Sequence, residues 1–443
     1  MPFTITSEPL DFPLPAWRHV RQRFDATREA DVAAAVRREM AKLDGRIRPG
    51  MTVAIGVGSR GLASLAALVR ATVEALEARG ARPIVMPAMG SHGGATPEGQ
   101  LRVLAEYGVT PESVGAPIDP SMETVRIGVA DGDLPVHFGR AALAADAVLV
   151  VNRVKPHTSF HGRFESGLAK MLTVGFGKHA GATELHQRGM DRLADTIPAA
   201  LDVVLREVRV LGGLATVENA RDEVALVELV PGEAIAAREP ELLERARALL
   251  PRIPFDRLDV LIVDRIGKDV SGTGMDPNVT RRHTARHLGV DPLAPQRIVV
   301  LRLTERTHGN AHGLGVADIT TRDVVESIDY QKGWTNAVAS QSLDAARTPL
   351  WVPTDREAIA LALLTAPGVD RSAPRLVRIG STLELETFWV SEALWQAEGR
   401  HHPEIEPLAE AEPMAFGADG RLADLPAPRT RHGRAPWTDE RRS

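Results

Sequence analysis

The sequence predicts an α/β protein of two domains, each with a mainly parallel sheet, separated by a cleft. Two observations carry this expectation. An apolar strand, a helix with one buried face and a second strand follow one another between Met51 and Pro87, the order that builds a parallel sheet with a crossover helix. A second α/β unit begins at Leu258, after a Pro-containing junction at Pro251 to Pro254.

Taken in order, the chain opens with an extended, Pro-containing lead-in, and Glu29 to Leu43 then has helical spacing. Met51 to Gly56 reads as a strand. Leu62, Leu65, Val69, Val73 and Leu76 recur at steps of three and four residues, which marks a helix that Gly80 ends. Arg82 to Pro87 is the next strand, and the loop MGSHGG follows it. Thr96 is a good N-cap for a helix running toward Tyr107. Short elements at Thr124 to Val129, Leu134 to Phe138 and Arg140 to Ala144 lead to the strand Ala147 to Asn152. A helix from Met190 to about Val208, a strand pair at Gly213 to Ala220 and Glu223 to Val230, and a helix at Glu239 to Leu250 close the first domain. In the second, Leu258 to Asp264 and Arg297 to Leu303 are strands, and the unit ends around Arg375 to Leu385. The loops IGKDVSGTGMDPN and THGNAHGLGVADITT follow strands and are expected to face the cleft. The expected domains are residues 1–254, residues 255–396 and an extended tail at 397–443.

Composition narrows the function. Of 443 residues, 44% are hydrophobic and 25% charged, the balance of a globular protein. A net charge of -5 and 4% aromatics give no case for nucleic acid. The absence of cysteine removes disulfides, thiolate nucleophiles and cysteine-ligated metals. No run reaches the length of a membrane span and the first residues lack a signal-peptide pattern, so a cytoplasmic location without membrane contact is expected.

Chemistry concentrates between Val151 and Met190. That stretch holds His157, His161, His179 and His186 with Arg153, Lys155, Lys170 and Lys178 in a run broken by glycines. Imidazoles ligate metals and move protons near neutral pH, and a lysine whose pKa is depressed becomes a nucleophile. Not all four histidines are expected to be functional, and His179 is the first candidate for a structural role. The stretch leaves the end of a strand and so should open on the same sheet edge as His92, where open α/β sheets bind ligands. Gly56 to Gly61 matches G-x-G-x-x-G between strand and helix. The second strand ends Met86-Pro87-Ala88, without the acidic residue a dinucleotide site needs. A phosphate or carboxylate held by Gly58, Ser59 and Arg60 fits better than a nicotinamide dinucleotide; the plain alternative is a tight turn with Arg60 solvated. His92, open between a capping or surface residue and a site residue, His401 and His402 as exposed tail residues, and His308 and His312 as undecided loop residues complete the inventory.

The loop around His92, Lys170 and His186 resembles the lactate racemase family. Lys170 and His186 lie sixteen positions apart, the family's separation between the lysine that holds a nickel pincer nucleotide covalently and the histidine that ligates its nickel. The resemblance implies that Arg60 with Gly58 and Ser59 holds the cofactor phosphate and that His92 is the first catalytic histidine. It leaves the second open between His161 and His157, because Phe160 stands at the family's position. Val57 replaces an acidic residue, and the His92 loop lacks the usual Arg-Pro, so the chain looks like a divergent member.

The resemblance implies a racemase or epimerase of a 2-hydroxy acid. A hydride acceptor takes the non-acidic hydrogen from carbon while one of two opposed histidines takes the hydroxyl proton. Lys268, with Lys155 behind it, is expected to bind the substrate carboxylate. Cofactor-synthesis proteins are implied as partners, and a homo-oligomer is compatible. A hydrolase using the histidines as direct metal ligands, and a non-catalytic protein binding a small anion, are the alternatives.

Overall fold

The computed structural model describes residues 5–6, 8–58, 62–423 and 425. It is a mixed α/β chain whose described residues divide into two compact units, one spanning residues 25–250 and the other combining those before 25 with those of 251–425.

The unit of residues 25–250 is built on a five-stranded sheet ordered Arg82–Pro87, Thr52–Val57, Ala147–Arg153, Val210–Glu218 and Val224–Pro231. The first four strands are parallel and the last pairs antiparallel. Continuous apolar runs such as TVAIGV suit strands covered on both faces. Val53, Ile55 and Val57 point into one core with the helices Val32–Met40 and Leu65–Glu77, while Ala54 points into the other, among Phe138, Phe160 and Phe176. The alternation is that of a pleated strand. The expected N-cap at Thr96 is present: its side chain accepts from the Gly99 N–H ahead of the helix Pro97–Glu106.

Gly56, the first glycine of the G-x-G-x-x-G run, has a packing role. A Cβ there would overlap the ring of Phe176. At the end of the same strand, a Cβ on Gly58 would lie 3.2 Å from Asn152 Oδ1 and 3.3 Å from Met171 Sδ. The glycine pattern thus lets the segment after Gly167 lie directly on the sheet. Ser59 and Arg60, expected to hold a phosphate, lie outside the described residues.

The second unit carries an eight-stranded sheet. Leu350–Val352, Ile319–Thr321, Arg297–Leu303, Val260–Ile266 and Leu376–Ile379 are parallel. Thr387–Ser391, Trp17–Gln22 and Ile405–Pro407 extend it antiparallel. Two expectations are corrected by this sheet. The lead-in expected to belong to a domain starting at residue 1 supplies a strand to the other unit, and the first part of the expected tail supplies another. Trp17 explains the first: it is 4% exposed, its ring sits 5.0 Å from that of Trp389, and the Arg378 guanidinium lies 5.3 Å from its centroid. The tail beyond residue 425 lies outside the described residues.

Trp17→Ala should cost about 3–5 kcal/mol, the usual range for emptying a buried indole site, and urea unfolding should show the loss in the unit of residues 251–425. A loss under about 1 kcal/mol would put this strand outside the cooperative core.

Candidate functional site

The carboxyl ends of the parallel strands in the first unit lead into the loops and helices that carry the chemically distinctive residues. Asn152, near the end of its strand, donates through Nδ2 to the Gly167 carbonyl at 3.1 Å. From Gly167 the chain makes one helical turn, Leu168–Lys170, then a π turn, Met171–Gly175, then the helix Lys178–Gln187. π-Type turns inside helical segments are often found at functional sites. Lys170 ends the first turn and His186 lies in the last turn of the helix.

The charge of Lys170 bears on His186. The imidazole is held below its ordinary pKa, chiefly by burial and next by the positive charge of Lys170. Both effects disfavour the imidazolium and leave a neutral ring with a lone pair to offer. The Lys170 Nζ sits 5.2 Å from the centre of the buried Phe160 ring, within cation–π range. Phe160 is thus the platform beneath the amine.

His157 stacks on the same ring, with centroids 4.4 Å apart. Its Nδ1 accepts from the Ser159 N–H at 3.0 Å, so the neutral ring carries its proton on Nε2. His161 faces Glu165 instead, Nδ1 to Oε1 at 3.3 Å, and is exposed. Glu165 is the hub of this loop. Its carboxylate accepts from the His157 N–H at 2.5 Å and from Arg247 at 2.5 Å. Burial alone would raise its pKa, but His161, the His157 N–H and Arg247 outweigh that and hold it below the usual value. Lys155 closes the loop at its base, exchanging backbone hydrogen bonds with Ser166 at 2.8 and 3.2 Å.

His92 lies in the loop after Arg82–Pro87 and is exposed. The loop backbone is seated on the π turn, since the Gly90 N–H donates to the Gly175 carbonyl at 3.1 Å and a Cβ on Gly90 would lie 3.2 Å from Ala182 Cβ. The buried Gln100 amide holds the loop from the other side, donating to the Gly90 and His92 carbonyls at 3.1 and 3.3 Å. Lys178, 2% exposed, donates from Nζ to the Pro87 carbonyl at 2.6 Å, and burial pushes its pKa down to about 8 against the attraction of Asp119. His179 is exposed, away from this packing.

Lys268 belongs to the other unit, where its Nζ donates to the Gly272 carbonyl at 2.6 Å. His312 there is 3% exposed, and burial followed by the charge of Lys268 takes its pKa down to about 4. The two glycine-rich loops expected at strand ends pack on one another, with a Cβ on Gly274 falling 3.3 Å from Gly313 Cα. His312 was undecided from sequence and is a buried, neutral neighbour of Lys268.

Sequence reading missed Gln100, Arg247 and Glu239, whose carboxylate accepts from the Ala169 N–H at 2.7 Å. In the sequence each is an ordinary polar residue of a helix, which also describes many solvated side chains. Among the described residues no three His, Asp or Glu side chains converge as a direct metal site requires, and no helix is long and apolar enough to cross a membrane.

No known family model matches the sequence, and no curated protein matches it. Among solved structures, a protein from Thermotoga maritima is similar at 14% identity and a TM-score of 0.46, over 74% of this chain and 82% of that one. The lactate racemase apoprotein from Thermoanaerobacterium thermosaccharolyticum is similar at 12% identity and a TM-score of 0.41, over 78% of this chain and 85% of that one.

Because the Glu165 carboxyl is depressed in the folded chain, the stability it contributes is complete above its ordinary pKa of 4.5 and is lost as pH falls below that value. Glu165→Gln should therefore be less stable than wild type at about pH 7, with the gap narrowing toward about pH 3. A gap that stays constant across this range in urea titrations would contradict the assignment.

Proposed function

We propose that the chain is a racemase or epimerase of a 2-hydroxy acid and that it uses a nickel pincer nucleotide, with Lys170 as covalent anchor and His186 as nickel ligand. The observation that carries the reading is the pairing of an amine with a neutral imidazole across a π turn at the carboxyl edge of a parallel sheet. The donor set suits such a group. A chain without cysteine offers the half-buried, neutral imidazole of His186 near Lys170 and no cluster of direct ligands among its described residues, and a pincer brings its own soft donors. When bound, the pincer supplies a hydride acceptor.

The protein's own residues supply the rest. Lys170 loses its proton to become a nucleophile. His186 keeps a lone pair because burial and Lys170 oppose its protonation. Of the two histidines left open by the sequence, we assign the second acid/base to His157. Its ring shares the Phe160 platform with Lys170 and its Nδ1 is already fixed by Ser159, whereas His161 is directed to Glu165. His92 is the other acid/base, and Gln100 sets the loop that carries it. Gly58, Ser59 and Arg60 are assigned to the cofactor phosphate, and Lys155, which belongs to the same unit, to the substrate carboxylate.

Protein produced together with the cofactor-synthesis proteins should show an intact-mass adduct that Lys170→Ala abolishes, while His186→Ala keeps the adduct and loses nickel. Nickel retained in Lys170→Ala without any adduct on the wild type would favour a hydrolase-type metal site. Once a hydroxy acid is found whose stereocentre the loaded protein scrambles, His157→Ala should slow the reaction by at least about 100-fold and His161→Ala by less than about tenfold. The reverse order would give the role to His161.

A further inference from the structure

Glu239 is one of the least exposed charged residues, at 1%. It lies on the helix Ile235–Leu249, far in sequence from Lys170, yet its Oε2 accepts from the Ala169 N–H at 2.7 Å and the Leu168 N–H is directed at the same carboxylate. Its Oε1 finds no hydrogen-bond partner among the described residues. Space for that oxygen exists because residue 167 is glycine: a Cβ there would overlap Oε1. On the opposite side of the same short segment, Asn152 holds the Gly167 carbonyl at 3.1 Å. Residues 167–169 are thus gripped by two side chains from distant elements immediately before the lysine.

A carboxyl group buried this deeply, with no cation paired to it among the described residues, is a costly choice for a role that packing alone could fill. Burial pushes its pKa up to about 7, against the backbone N–H groups of Ala169 and Leu168. We propose that Glu239 is a positioning residue for Lys170, its carboxyl group holding the turn that aims the amine over the Phe160 ring. The proposal rests on the reading of Lys170 as the anchoring amine, but its geometry concerns the cofactor-free chain.

The chain contains only six lysines, so site-resolved acylation can follow each amine by mass spectrometry in cofactor-free, full-length protein. Lys42 and Lys332 have side chains 45% and 47% exposed and serve as references, and the buried Lys178 reports unfolding. In Glu239→Ala, loss of a charged-acceptor hydrogen bond of about 1.5 kcal/mol corresponds to roughly tenfold more opening of the turn, so Lys170 should be labelled roughly tenfold faster. Lys178 should stay protected and the reference rates unchanged. Glu239→Gln keeps an acceptor for the same N–H groups and should return Lys170 to within about twofold of wild type. Three results would overturn the proposal: a Lys170 rate in Glu239→Ala within twofold of wild type, Lys178 labelled in step with Lys170, or a glutamine variant as fast as the alanine one. Failure of the pincer reading would show instead as a missing adduct on wild-type protein, which this labelling does not measure.

Discussion

The site depends on how closely the segment Leu168 to Lys178 lies on the sheet beneath it. Phe176 fills the space above Gly56, a Cβ on Gly213 would come within 2.6 Å of the Leu168 side chain, and one on Gly175 within 2.6 Å of the Ala88 carbonyl. Side chains at these points would lift the segment from the strands. With them absent, a helical turn, a π turn and a further helix follow one another against the carboxyl edge. Interiors pack at crystal-like density, so a displacement here would carry Lys170 and His186 with it.

Electrostatics within that packing follow one pattern: each ionisable group is set by a partner from elsewhere in the chain. Glu165 answers to Arg247, Lys178 to the Pro87 carbonyl, and the N–H groups before Lys170 to Glu239. A buried polar group left unpaired is expensive, so these long-range partners hold the segment in one arrangement. Lys170 and His186 differ in kind. There the charge of one, together with burial, keeps the imidazole of the other neutral.

Much of this was legible in the residue order. Apolar runs and helical periods located the parallel strands of both units, and Thr96 capped the helix it was expected to cap. The dense cluster of histidines and lysines after Ala147–Arg153 did emerge at the sheet edge. What was not legible involves partners far apart along the chain. Trp17–Gln22 finds its sheet neighbours near residues 390 and 406, and no local period announces that. Glu239 and Gln100 read as ordinary helix polar residues until burial singles them out. Phe160 looked like a departure from a pattern, and only its ring position between Lys170 and His157 shows what it does.

The central claim is that the amine at position 170 and the imidazole at position 186 share one electrostatic environment. It is tested most directly by an NMR titration of the His186 ring in cofactor-free wild type and in Lys170→Met. The wild-type ring should titrate below the ordinary 6.5 and move upward in the variant, since one of the two causes of its depression is removed while burial remains. A ring that titrates at the same pH in both proteins would contradict the claim.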